Sequence, residues 1–167
     1  MKNIIRKKDS ITIESEVIDR VESIFRSIFV IQNRIQNAGE KLHTDISMRQ
    51  WLLIAMIESC KKERTLTNIG SLMGCSRQNV KKLALALEKN GFVLLKKGSN
   101  NSLLIELTEK SKVYSEKIEP IVANALKLLF LDFSEEEIEQ LYRFYFKLFR
   151  GIERVENYAE EVLMEYV

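Results

Sequence analysis

Gly74 stands between two short segments whose apolar residues recur at helical spacing, and this limits the fold sharply. A glycine at such a point takes a left-handed conformation with no Cβ penalty, so the chain reverses within a few residues. Before it, Ile69 and Met73 lie four apart on one helix face, and Gly70 is small enough to let a following helix cross closely. After it, Ser76 suits a helix N-cap, and Val80, Leu83 and Leu87 at spacings of three and four form one buried stripe. Thr65 suits the N-cap of the first helix. The positions 69, 70, 73, 74, 75, 80 and 83 match a helix-turn-helix template, with an ordinary helical hairpin as the competing reading.

With Val80, Leu83 and Leu87 inward, the outward face of the second helix carries Arg77, Gln78, Lys81 and Lys82, with Ser76 and Asn79 at its leading turn. Arginine bonds bidentately to guanine, and glutamine or asparagine to adenine. Lysine and hydroxyl groups suit phosphates, and a helix N-terminus favours an anion. A lysine-rich face is ordinarily a solvated face; its place on the second helix of this motif makes it a candidate DNA-reading face. A hairpin follows. Residues 92–95 are apolar and run into Lys96 and Lys97, the tip is Gly98, Ser99, Asn100 and Asn101, and 103–107 return. Lys96, Lys97, Asn100 and Asn101 are therefore candidates for flanking DNA contacts, although lysines also blunt an edge strand. Helices plus hairpin make a winged helix-turn-helix.

The charge distribution agrees with that reading. Residues 65–111 hold seven Lys/Arg against three Asp/Glu, a net +4, whereas 112–167 hold seven against twelve, a net −5. The acidic part should lie away from a phosphate backbone. No apolar run approaches a membrane span and no signal-peptide pattern follows the basic N-terminus, so a cytoplasmic protein is expected. Cys60 and Cys75 form no metal pattern. Cys75, in the turn, is expected to pack as a small hydrophobe, as is Cys60 at a helix end.

Long apolar helices flank the motif. Residues 14–38 repeat Val17, Val21, Ile24, Ile28, Ile31 and Ile35 at three and four, and 47–60 are apolar on most sides around Trp51, Leu52, Ile54 and Ile57. Residues 109–131 read as a helix that Pro120 should kink. Ser134 and Glu137 form a capping box that opens a last helix to about 165, striped by Ile138, Leu141, Tyr145, Leu148, Ile152 and Val155. These faces need a cover. A second copy is economical and would set two reading helices about one DNA turn apart; intramolecular packing is the alternative. The expected fold is mainly α with a small β-hairpin wing. An N-terminal arm and dimerisation helix occupy 1–42, the winged DNA-binding domain 43–111, and C-terminal dimerisation helices 112–167.

This order, with Gln50 and Trp51 in the buried helix, LMGCSRQNVKKL at 72–83, LEKNGFV at 87–93 and LTEKS at 107–111, resembles the MarR family of bacterial transcription regulators over about residues 14–160. The resemblance implies a homodimer on a pseudo-palindromic operator, acting as a repressor and released by a small ligand. It also implies a pocket near His43, Met48, Trp51 and Tyr114. Two departures stand out. The wing tip lacks the arginine usual in the family, and Leu85 and Ala86 shorten the polar face of the reading helix to its first two turns. A winged-helix module that binds protein rather than DNA is the alternative. No phosphate loop, nucleophile elbow or metal cluster points to an enzyme, and no catalytic residue, metal or cofactor is expected.

Overall fold

The computed structural model describes residues 15–99 and 102–165. It contains α1 (Ser15–Leu42), α2 (Met48–Ser59), α3 (Leu66–Met73), α4 (Arg77–Lys89), β1 (Val93–Lys97), β2 (Leu103–Leu107), α5 (Glu109–Leu129) and α6 (Glu135–Glu165). The chain divides into two compact units, 1–121 and 122–167. No helix among the described residues is long and apolar enough to cross a membrane.

Local chemistry explains most boundaries in the first unit. Helix α1 runs past the expected end at 38, to Leu42. Gly39 lies inside it, where a Cβ would come within 2.5 Å of the Met48 sulfur, so the missing side chain admits α2. A full capping box opens α2: the Gln50 N–H donates to Ser47 Oγ (3.2 Å) and the Ser47 N–H to Gln50 Oε1 (2.8 Å). Thr65 and Ser76 cap α3 and α4 as expected, accepting from the N–H groups of Asn68 and Asn79. Gly74 is left-handed at φ 61°. A Cβ on Gly70 would meet the Cys75 carbonyl oxygen at 2.8 Å, which confirms the close crossing at that glycine.

Two details depart from expectation. Val80, Ala84 and Leu87 are the buried residues of α4, whereas Leu83 is only half-buried. The inward face is centred one residue further along than the leucine spacing suggested. Phe92 also lies outside the strand. Its N–H donates to the Leu87 carbonyl (2.9 Å), while that of Gly91, at φ 75°, donates to the Glu88 carbonyl (2.9 Å). This double bond pattern is a Schellman motif, so Phe92 closes the apolar end of α4 before the strand begins at Val93.

The fully buried side chains Leu53, Ile54, Ile57, Leu66, Ile69, Val80, Leu87, Val93 and Ile105 form the core of the winged lobe. β1 and β2 pair antiparallel with Val93 opposite Leu107 and Leu95 opposite Ile105. The outer edge of β2 is also engaged: the Ile105 N–H donates to the Arg64 carbonyl (2.9 Å), and Thr65 bridges to Leu104. Thr108 joins hairpin to α5, its hydroxyl donating to the Gly91 carbonyl (2.7 Å).

The second unit is dominated by α6. Its capping box forms as expected, the Ser134 N–H donating to Glu137 Oε2 (2.8 Å) and the Glu137 N–H to Ser134 Oγ (3.2 Å). These bonds hold the Glu137 carboxyl below its usual range. Ile138, Tyr145, Leu148, Ile152 and Val155 are all exposed.

Candidate nucleic-acid interface

Two features can be built from the residues upward: an outward polar face on α4, and an aromatic junction where α1, α2 and α5 meet.

Burial of Val80, Ala84 and Leu87 fixes the rotation of α4. Ser76, Arg77, Gln78, Asn79, Lys81 and Lys82 are all exposed on its first turns, and the Ser76 cap leaves the helix N-terminus facing the same region. Further along, Leu85 is 48% exposed, so an apolar residue ends the polar stretch. The hairpin brings Lys96 and Lys97 onto β1, where both are exposed. They differ in their surroundings. Lys96 Nζ lies 2.5 Å from Glu106 Oε2 on the facing strand, which offsets its charge. Lys97 makes no ion pair with a described residue. Asn100 and Asn101 lie outside the described residues.

The connector ahead of α3 adds two exposed cations that the helix-turn-helix pattern does not include. Lys61 and Lys62 are exposed there, and the connector is tied to β2 through Arg64. The signal available was the run KKER directly before the Thr65 cap.

At the junction, three of the four residues expected near a pocket come together. His43 is 6% and Tyr114 5% exposed, with His43 Nδ1 and the Tyr114 hydroxyl 2.8 Å apart. The Trp51 ring stacks on His43 at 5.2 Å between centroids, and Phe92 meets Tyr114 edge-on at 5.5 Å. Burial pushes His43 below its ordinary 6.5, against the opposing pull of Glu40. Burial, and then Asp45, push Tyr114 above its ordinary 10.0. Both shifts favour the uncharged forms, an imidazole bonded to a phenol. Met48 lies against Gly39, one helical turn before His43.

An open cleft of about 450 Å³ lies beside this junction, lined by Asp45, Asn90, Phe92, Lys110, Val113, Tyr114 and Lys117. Of the four expected pocket residues only Tyr114 lines it. Lys110 sits over the Phe92 ring and donates to the Asn90 carbonyl (2.8 Å), while Lys117 pairs with Asp45 at 3.6 Å. Cys60 and Cys75 are each half-buried, so neither is a fully packed core thiol. Among the described residues no cluster of His, Cys, Asp or Glu could hold a metal ion.

No family model matches the chain, nor does any curated protein. Solved structures do. A MarR/EmrR family transcriptional regulator from Acinetobacter sp. ADP1 superposes with a TM-score of 0.73 at 22% identity, over 82% of this chain and 98% of its own. The organohalide-sensing regulator RdhR, solved with 2,4-dichlorophenol bound, gives 0.69 at 16% identity, over 90% of this chain and 89% of its own. MepR from S. aureus, solved as a DNA complex, gives 0.68 at 20% identity, over 78% and 96%. The chain thus has a MarR-like winged helix fold. Several of its structural neighbours across most of its length are MarR family proteins.

Proposed function

We propose that this chain is a cytoplasmic, homodimeric DNA-binding transcription regulator. Residues 43–111 read DNA, and 1–42 with 112–167 form the dimer. The observation that carries the reading is the two-sidedness of α4: Val80, Ala84 and Leu87 buried, and the polar groups of 76–82 exposed on the N-terminal turns. Such a helix can enter a major groove with side chains that bond base edges and phosphates. Two copies would read a pseudo-palindromic operator as a repressor. Release by a small ligand at the aromatic junction or its cleft completes the proposal; the neighbours solved with DNA and with 2,4-dichlorophenol support the two halves.

A module that binds protein through the same fold is the second reading, favoured by the Lys96–Glu106 pair, which withdraws one cation from the wing. Salt separates the two. The DNA reading expects affinity for duplex to fall steeply with salt. Arg77→Ala or Lys82→Ala should weaken binding by about 1–3 kcal/mol with the oligomeric state unchanged. Absence of duplex binding even at low salt favours the protein module.

A further inference from the structure

One cross-strand pair of the hairpin is bonded both to α4 and to the connector ahead of α3. Leu95 and Ile105 face each other across β1 and β2, and the N–H of each points outward, away from the partner strand. Both outward donors find acceptors outside the hairpin. The Ile105 N–H donates to the Arg64 carbonyl on one edge (2.9 Å), and the Leu95 N–H to Glu88 Oε1 on the other (2.7 Å). Glu88 belongs to the last turn of α4, seven residues before the Leu95 N–H that donates to it.

The placement of that carboxylate runs against two general preferences. A negative charge is disfavoured at a helix C-terminus, where the carbonyl ends already carry negative partial charge. A carboxylate on a helix meant for DNA also opposes the phosphates. Glu88 is half-buried rather than fully solvated. Its described bond is the charge-assisted contact to the strand, of a kind about twice as strong as a neutral hydrogen bond.

We infer that Glu88 is a positioning residue that locks the wing to the recognition helix, so that α4 and Lys97 present to DNA in one fixed register. This rests on the DNA-reading assignment above. The paired strands β1 and β2 are thereby held as a rigid arm, and the cost of ordering them is met during folding instead of binding. The clamp acts from the reading helix itself, so a shift of α4 carries the wing with it.

The test uses the full chain, with Glu88→Ala and Glu88→Gln, the latter keeping a side-chain oxygen to accept. In the free protein, the Leu95 amide of Glu88→Ala should exchange with solvent about 10-fold faster or more, the scale of one charge-assisted hydrogen bond. Ile105 exchange and the melting temperature should change far less, and Glu88→Gln should restore most of the protection. On a selected duplex, Glu88→Ala should bind about 3- to 10-fold more weakly, the scale of ordering a loosened element on binding. Lys97→Ala should cost less in that background than in the wild type. Unchanged Leu95 exchange overturns the clamp. Lost protection with unchanged affinity, or additive Glu88 and Lys97 effects, overturns the positioning role. A wild-type chain that binds no duplex overturns the DNA reading instead, and the exchange arm still decides whether the clamp exists.

Discussion

Ile57 in α2 is fully buried, whereas Ile152 in α6 is 51% exposed. The same side chain is spent differently in the two regions. In the winged lobe, short helices and a hairpin converge from several directions, so Leu53, Ile69, Val80, Leu87 and Ile105 cover one another. In α6, one long helix presents a continuous stripe through Leu148, Phe149, Ile152 and Val155, and none of these is buried. The lobe completes its own core; the stripe is an apolar surface of the kind that marks an interaction site. The lobe should therefore owe its fold to itself, and the α6 stripe its cover to the second copy proposed above.

That contrast can be broken most forcefully by truncation. Ile57→Ala should lower the free energy of unfolding by about 2–5 kcal/mol, at every protein concentration in denaturant titrations. Ile152→Ala should instead lower the melting temperature by an amount that depends on concentration, as expected when subunit association stabilises the fold. Equal, concentration-independent losses at both sites would erase the distinction. Charge gives a sharper version at the stripe. Phe149→Asp combined with Ile152→Asp should weaken self-association by about 100-fold or more, since interface anchors commonly contribute 2 kcal/mol or more each. Sedimentation would then show a monomer with the lobe still folded, against the dimer proposed for the wild type.

A smaller effect lies at the aromatic junction. Burial holds the His43 pKa below its ordinary 6.5 in the fold. The unfolded chain therefore binds the proton more readily. The stability this group contributes is complete above pH 6.5 and is lost as pH falls through the lower folded value. Urea midpoints measured from about pH 7.5 down to 5 should decline for the wild type and decline less for His43→Gln.

Much of this was legible in the chain because the signals were local. Gly74, Thr65, Ser76 and the Ser134–Glu137 box act within four residues of themselves, and each stands where the sequence placed it. The exposed face of α4 followed from the apolar spacing opposite, although Ala84 rather than Leu83 fills the core. What escaped was long-range or dual-purpose. Phe92 reads as the first residue of a strand by composition, but the helix takes its N–H. The bond between His43 and Tyr114 spans 71 positions, and residues such as Asn90 and Lys110 reach the cleft only through folding. Glu88 looks like a solvated helix residue until the strand amide is seen beside it.

The central claim is that two copies of the α4 face read DNA together. Selection of bound sequences from random duplexes by the purified chain tests it most directly. Enrichment of two half-sites related by two-fold symmetry is expected, with centres about one helical turn, roughly 10 base pairs, apart. Loss of that enrichment is expected in Arg77→Ala. Recovery of no motif, or of a lone half-site that Arg77→Ala binds as well as the wild type does, would contradict it.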